Sequence, residues 1–231
     1  MTAPADDLWV FGYGSLIWRP GFPFAEATPA RLVGFQRTFC IYSTHHRGSQ
    51  DRPGLVLGLD RGGSCFGLAF RVPASERAST IAYLRAREQI DGVYHERSLP
   101  VWLPEHGTHV HALTYVVERA HPAYAGRLPF RHQVQLIRAA RGLSGANVAY
   151  LANTACRLAD LGLRDPYLDR LVCAVGGLCS QPTQHPAGDA RAMTLVGASR
   201  HHPRYAPRMR RHERRRFLHR LQLGATGAGG R

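Results

Sequence analysis

The residues with the clearest chemical potential lie in a glycine-containing segment near the start of the chain, Gly12-Tyr13-Gly14-Ser15. This segment follows the hydrophobic run 9–11 (WVF), which is typical of a buried strand. Two glycines around a tyrosine allow the backbone to turn sharply and to approach a ligand closely. A loop of this kind can hold a phosphate, present a serine nucleophile or bind a small zwitterion.

Residue spacing argues against the first two of these roles. A dinucleotide-binding fingerprint requires a third glycine three residues after the second, and the chain has Ile17 there. A nucleophile elbow requires glycine two residues on each side of the serine, but Tyr13 and Ile17 occupy those positions around Ser15. The chain also contains no lysine, which a Walker-type phosphate loop needs. A structural turn and a zwitterion-binding loop remain as the two alternatives.

The second candidate is Glu88, at the end of a helix that the sequence predicts over residues 75–88. Ile81, Leu84 and Glu88 share one face of this helix because of their spacing. A carboxylate at the end of an apolar stripe is either a solvated helix terminus, paired with a neighbouring arginine, or an acid held in a pocket. In a pocket, desolvation would raise the pKa of Glu88 toward the range that a general base needs.

Two histidines and one cysteine are further candidates, as a metal site and as a nucleophile, and the sequence supports these roles less well. His109 and His111 alternate along a predicted strand and so lie on the same side, but no third metal ligand follows at a suitable spacing. Cys65 lies within a predicted strand, where packing is the simpler explanation. We therefore predict no metal site.

The elements that must position these residues follow from hydrophobic periodicity and turn residues. After the first strand, we predict strands over 32–42, 54–59, 65–72, 93–103 and 108–118, with Arg61-Gly62-Gly63 as a turn. We predict helices over 75–88, with Ser75 as the N-cap, and over 131–141, 147–161 and 166–175. Because strands come first and helices later, the fold class is α+β with a mixed or closed sheet.

Positive charge is concentrated near the end of the chain. The net charge is +14 and all thirty basic residues are arginine; nine of them lie between residues 200 and 220, where Glu213 is the one acid. Hydrophobic periodicity fades from about Gly176. We therefore predict a domain over 8–177 and an Arg-rich tail over 178–231 that is disordered or loosely attached. The tail is expected either to bind polyanions weakly and without sequence specificity or to be solvated without a partner.

Length and composition favour a globular protein with one well-filled core, since the chain has 231 residues of which 44% are apolar. It has no apolar run of 18 residues and no basic leader segment, so we expect neither a membrane span nor a signal peptide. Five cysteines without a Cys-x-x-Cys pattern favour reduced thiols over a disulfide framework. The expected location is the cytoplasm.

Several segments in unbroken order over about residues 8–177 resemble the ChaC-type γ-glutamylcyclotransferases. They are 9–18 (WVFGYGSLIW), 43–48 (STHHRG), 52–59 (RPGLVLGL), 61–67 (RGGSCFG), Arg87-Glu88 followed by 92–94 (GVY), 150–154 (YLANT) and 161–165 (LGLRD). The resemblance implies a γ-glutamylcyclotransferase-like fold, which is a small, partly closed mixed β-barrel flanked by helices. The Arg-rich tail has no counterpart in this resemblance.

The resemblance also implies a reaction, in which glutathione is converted to 5-oxoproline and cysteinylglycine without a metal or cofactor. Glu88 would be the catalytic residue, moving a proton from the substrate α-amine to the leaving nitrogen. The substrate's glutamyl head group would be bound by the opening loop: Val10, Phe11, Gly12, Tyr13, Gly14, Ser15 and Leu16. Tyr94 and Tyr150 would either contact substrate or belong to the core.

Three questions stay open at this point. The segment His45-His46-Arg47 either reaches the glycyl carboxylate of glutathione or is a solvated loop. The substrate is either glutathione or another γ-glutamyl amine or peptide. The third question is whether the protein is an enzyme or a protein without enzymatic activity that acts through polyanion binding by its tail.

Overall fold

The structure, a computed structural model, describes residues 7–88, 92–163 and 165–177. Its centre is a closed barrel of five strands: β1 (Leu8–Gly12), β2 (Glu26–Ser43), β3 (Gly54–Val72), β4 (Tyr94–Leu103) and β5 (Thr108–Val117). The strand order around the barrel is β1-β3-β2-β4-β5. Only the β1–β5 pair is parallel, and the other neighbouring strands are antiparallel. The predicted mixed β-barrel is thereby confirmed.

Within the described residues, four α-helices accompany the barrel: α1 (Arg77–Glu88), α2 (Phe130–Ala139), α3 (Asn147–Asp160) and α4 (Pro166–Val175). A two-residue hairpin of β6 (Arg141–Gly142) and β7 (Gly145–Ala146) leads into α3. Helices α3 and α4 bury Leu151 and Leu168 in the same hydrophobic cluster as Phe39 and Leu57 of the barrel. The α+β class is confirmed, because strands and helices share one core.

The barrel closes at two short seams. β1 meets β5 through Trp9 opposite Ala112 and Val10 opposite Leu113. β2 meets β4 through only two residue pairs as well. By contrast, β4 and β5 pair along their whole length, from Tyr94 to Val117, as a hairpin. The barrel is therefore a long β2–β3 ribbon, extended by β1 along β3, that is closed by a separate β4–β5 hairpin.

The predicted turn at Arg61-Gly62-Gly63 is wrong, because β3 runs through it without a break and pairs with β2 on both sides. The pairing register shifts here between Val33 and Phe35. Gly34, Gly62 and Gly63 have φ angles of 88°, 106° and 63°, values that glycine adopts without a Cβ penalty. The glycines therefore form a bulge that bends a long ribbon.

Two predicted element starts are also wrong. β2 begins at Glu26 rather than residue 32, with Thr28 and Ala30 already buried on one face. The intervening Pro29, which is unusual in a strand, hid this alternation. Ser75 does not cap α1, since it lies in a 3-10 turn over Ala74–Glu76 that precedes the helix. The start of α4 is as predicted, because the Asp165 carboxylate accepts a hydrogen bond from the Leu168 N–H at 3.2 Å.

The predicted tail, 178–231, lies outside the described residues. Within the described part of the chain, every helix is too short or too polar to traverse a lipid bilayer.

Candidate active site

An open cleft lies where the end of β1, the end of α1 and the side of α3 meet. Its walls come from six parts of the chain that are distant in sequence. They are the loop residues Tyr13, Gly14, Ser15 and Leu16, with Leu57 of β3, Glu88 of α1, Tyr94 of β4, Tyr115 of β5 and Tyr150 of α3. The structure therefore brings the predicted loop and the predicted carboxylate to one site.

The loop contributes its backbone to this cleft. Gly14 has no side chain, so its contribution to the lining is made by main-chain atoms alone. A 3-10 helix over Ser15–Ile17 follows, with the Ile17 N–H donating to the Gly14 carbonyl at 3.0 Å. A Cβ atom at Gly14 would lie 3.4 Å from the Tyr150 hydroxyl oxygen. The φ of Gly14 is −126°, so the backbone is not left-handed, and a single Cβ atom here would make an ordinary van der Waals contact.

The first three residues of the predicted loop have a different position. Val10, Phe11 and Gly12 belong to β1, are buried and are not among the residues that line the cleft. The Phe11 carbonyl accepts a hydrogen bond from Thr114 Oγ1 of β5 at 3.1 Å. These residues fix the end of β1, and the cleft lining begins at Tyr13.

Arg37 of β2 holds the loop from behind, with a side chain that is only 2% exposed. Its Nε donates to the Tyr13 carbonyl at 2.6 Å, and its Nη2 donates to the Phe66 carbonyl. Its Nη1 forms an ion pair with Asp165, the N-cap of α4, at 2.6 Å. Arg37 could not be predicted from the sequence, because nothing in the strand pattern around position 37 marks an inward-facing arginine.

Glu88 lies in a pocket, with 17% of its side chain exposed. Burial raises the pKa of Glu88, while Arg87, whose Nε lies 3.0 Å from Glu88 Oε1, acts in the opposite direction. The net pKa lies above the usual value for a glutamate. Such a carboxylate can accept a proton and return it within one reaction.

Arg87 connects this carboxylate to the loop. Its Nη2 donates to Ser15 Oγ at 2.9 Å, and its Nη1 donates to the Arg19 carbonyl at 2.6 Å and to the Tyr83 hydroxyl at 2.9 Å. The neighbouring Arg85 points elsewhere and pairs with Glu96 of β4. From sequence position alone, either arginine could pair with Glu88. The fold places Arg87, and not Arg85, beside it.

The tyrosines of the cleft are neutral hydroxyl groups at physiological pH. Burial raises the pKa of Tyr13 and Tyr94 well above 10, that of Tyr150 to about 12 and that of Tyr115 in the same direction. The charge of Glu88 acts in the same direction on all four. Among the described residues that line the cleft, Glu88 is the one carboxylic acid, and its pKa is raised above the usual value for a glutamate.

Two tyrosines have distinct hydrogen-bonding roles. The Tyr94 hydroxyl donates to the Leu57 carbonyl at 2.9 Å, so its proton is already used in a hydrogen bond within the barrel. The Tyr150 hydroxyl accepts from the Leu57 N–H at 3.4 Å, which leaves its own proton to donate. The hydroxyl proton of Tyr150 is thus the better placed of the two for a ligand.

The remaining candidates lie apart from the cleft. His109 and His111 are exposed on β5, and the His109 ring lies 4.9 Å from the Trp102 ring. Over residues 7–88, 92–163 and 165–177, no group of three or more His, Cys, Asp or Glu side chains could hold a metal ion. Cys65 is buried, which raises the pKa of its thiol and fits a packing role.

Comparison with known proteins gives one family. The model of the ChaC-like protein family matches residues 8–178. The chain is 35% identical over 177 residues to the glutathione-specific gamma-glutamylcyclotransferase of Escherichia coli (strain K12), covering 75% of each chain. It is 35% identical over 186 residues to the human glutathione-specific gamma-glutamylcyclotransferase 1, covering 77% of this chain and 83% of that protein.

A solved structure shows the same fold. The crystal structure of a gamma-glutamyl cyclotransferase specific to glutathione from yeast superposes with a TM-score of 0.67 at 23% identity, covering 78% of this chain and all of that one. The family match spans the barrel, the helices and both sides of the cleft. The protein described here therefore belongs to the ChaC family.

Proposed function

We propose that the protein cyclises the γ-glutamyl group of glutathione to give 5-oxoproline and cysteinylglycine. The observation that carries this proposal is the position of Glu88. It is partly buried, has a raised pKa and shares one cleft with the Tyr13–Leu16 loop. The names of the related E. coli and human proteins supply the substrate class.

The loop fits the glutamyl head group, which carries a carboxylate and an amine on one carbon. Backbone N–H groups at the start of the Ser15–Ile17 turn can donate to the carboxylate, and backbone carbonyls can accept from the amine. We infer that Tyr13, Gly14, Ser15 and Leu16 contact the head group. Val10, Phe11 and Gly12 support those contacts from β1.

Glu88 supplies proton transfer. It removes one proton from the substrate α-ammonium group, and the freed lone pair attacks the γ-amide carbonyl to close a five-membered ring. Protonated Glu88 then delivers that proton to the leaving nitrogen as the amide C–N bond breaks. The ring nitrogen loses its second proton in this collapse, and the released amine takes up one proton to become an ammonium ion.

Orientation and oxyanion stabilisation complete the mechanism. The substrate cyclises only when its amine is folded onto its own γ-carbonyl, so binding of the head group provides much of the rate enhancement. Negative charge develops on the γ-carbonyl oxygen during attack. The Tyr150 hydroxyl, neutral and with its proton available beside Gly14, is the donor we assign to that oxygen.

The test is a glutathione assay of Glu88→Gln, with 5-oxoproline as the measured product. The amide keeps the side-chain shape but cannot accept a proton, so the rate should fall at least about a hundredfold. Glu76→Gln, at the far end of the same helical region, is the matched control and should keep wild-type activity. Because burial disfavours the charged form of Glu88, the thermal midpoint of Glu88→Gln at pH 7 should be unchanged or slightly higher. A Glu88→Gln variant with more than about a tenth of the wild-type rate would refute the assignment.

Substrate choice needs a separate comparison. Glutathione, γ-glutamylcysteine and a γ-glutamyl alkylamide should be assayed side by side, and we expect glutathione to have the highest kcat/KM. A preference for the alkylamide would favour the alternative cyclotransferase. A cytoplasmic location remains a prediction. It rests on the cysteine pattern, because cysteines of cytosolic proteins are usually reduced.

A further inference from the structure

A positively charged side chain lies behind one wall of the cleft. Arg47 is part of the connection between β2 and β3, and its guanidinium carbon is 5.3 Å from the centre of the Tyr150 ring. Tyr150 lines the cleft, and its hydroxyl oxygen would be 3.4 Å from a Cβ atom at Gly14. One aromatic ring therefore separates this guanidinium from the loop that we assign to the glutamyl head group.

The charge of Arg47 has no acidic partner among residues 7–88, 92–163 and 165–177. Its Nη1 donates instead to two backbone carbonyls, those of Ser144 at 2.5 Å and Ala146 at 3.4 Å. Partial burial lowers the pKa of Arg47, which reflects a desolvated cation without a neighbouring anion. Arg37 and Arg87, by contrast, each pair with a carboxylate.

The segment that carries Arg47 is held in one conformation. The Leu143 and Ser144 N–H groups of the β6–β7 hairpin donate to the carbonyls of His45 and His46, both at 2.9 Å. The Arg47 N–H donates to Ser43 Oγ at 3.0 Å. A cation fixed in this way loses little further conformational entropy when it binds an anion.

Backbone packs closely against two glycines of this region. A Cβ atom at Gly48 would lie 2.1 Å from the Gly54 nitrogen, and one at Gly142 would lie 2.4 Å from the His45 carbonyl oxygen. Substitution of either glycine would therefore displace backbone, not merely a side chain. Closely packed, hydrogen-bonded backbone therefore surrounds the partly buried Arg47.

The substrate carries an anion at some distance from the bond that breaks. The glycyl carboxylate of glutathione lies two residues beyond the bond that breaks, about 7 Å away in an extended chain. Arg87 is already occupied by Glu88 and Ser15. Arg47 is the cation adjoining the cleft that lacks a carboxylate partner within the described residues.

We propose that Arg47 is a specificity-determining residue that binds the glycyl carboxylate of glutathione at the Tyr150 edge of the cleft. This inference rests on the proposed function. It extends that function from the γ-glutamyl group, which many amines carry, to the far end of the tripeptide. A γ-glutamyl amine that lacks this carboxylate gains nothing from Arg47.

The test compares glutathione with glutathione amide, in which a neutral carboxamide replaces the glycyl carboxylate. The wild-type protein should have a kcat/KM for glutathione about tenfold or more above that for the amide, mainly through KM. Arg47→Met should lower kcat/KM for glutathione by a similar factor and should leave the value for the amide nearly unchanged. Arg47→Lys should recover part of the preference, because it retains the charge.

Arg52→Met is the matched control, since Arg52 lies exposed in the same connection, and it should keep the wild-type preference. Equal losses on both substrates in Arg47→Met, or no preference in the wild-type protein, would overturn the inference. If Arg47→Met does not fold, Arg47→Lys takes its place in the comparison, and a wild-type protein without a preference would still overturn the inference. A wild-type protein that forms no 5-oxoproline from either peptide would instead refute the proposed function, and this inference with it.

Discussion

Arg37 and Asp165 lie 128 residues apart in the sequence, and their side chains form an ion pair of 2.6 Å behind the cleft. The same guanidinium donates to the Tyr13 carbonyl, and the same carboxylate caps the first turn of α4. Through this pair, the position of the loop depends on the docking of a helix near the end of the domain.

Replacing Arg37 by methionine should therefore destabilise the domain and weaken substrate binding together. Removal of one partner leaves a poorly solvated carboxylate and costs about 3 kcal/mol in the free energy of unfolding. Denaturant titration measures this loss, and the KM for glutathione should rise because the Tyr13 carbonyl loses its donor. Adding Asp165→Asn to Arg37→Met should restore part of the stability, since the uncompensated charge is gone. A loss below about 1 kcal/mol would mean that the pair is no better than a surface ion pair.

Gly14→Val should raise the KM for glutathione at least about tenfold, because its two methyl groups would project toward the Tyr150 hydroxyl from a Cβ that is already 3.4 Å away. Gly14→Ala is the graded control. It adds only that first carbon atom and should have a smaller effect. Steady-state kinetics and calorimetric binding of glutathione measure both. A folded Gly14→Val protein with normal binding would show that the loop is only structural.

Arg87→Met should move the acidic limb of the pH profile of kcat/KM to higher pH. Arg87 lowers the pKa of Glu88 against the effect of burial, so its removal raises that pKa, and the base form then requires a higher pH. Tyr13, Tyr94, Tyr115 and Tyr150 also face Glu88, but their raised pKa values keep them neutral across this range.

The control for this shift is Arg85→Met. Arg85 is on the same helix but pairs with Glu96, so its loss should leave the acidic limb in place. A direct NMR titration of the Glu88 carboxyl group in both variants tests the same point without turnover. An unchanged Glu88 titration in Arg87→Met would contradict the electrostatic coupling.

Truncation after Gly177 should leave glutathione cyclisation largely intact, because every residue that lines the cleft lies between Tyr13 and Tyr150. The full chain should bind duplex DNA weakly through the Arg-rich tail, and the truncated chain should not. The logarithm of affinity should then fall with the logarithm of salt concentration at a slope of about −0.9 for each phosphate contacted. Lost activity in a truncated protein that still folds would place the domain boundary beyond Gly177.

Most strands and the helix that carries Glu88 could be predicted from the sequence for a local reason, whereas the barrel was implied by the family resemblance. Ile81, Leu84 and Glu88 share a helix face whatever the rest of the chain does, and alternation reveals most strands. The residues that organise the site escaped prediction because their partners are distant. Arg37 meets Asp165 only through the fold. Ser75 was expected to cap α1, but the neighbouring Ala74 N–H donates to the Asp7 carboxylate, which is distant in the sequence.

The two short seams of the barrel have a consequence for the order in which the protein folds during synthesis. β1 leaves the ribosome first, but its parallel partner β5 follows only after the whole β2–β3 ribbon and α1 have emerged. Long-range pairing of this kind is slow, because the intervening chain must be ordered before the contact forms. Tyr150, from a helix made later still, supplies the last wall of the cleft. A nascent chain thus carries both the loop and Glu88 long before it can bring them together as a working site, and catalytic competence should appear only once α3 and α4 have both docked.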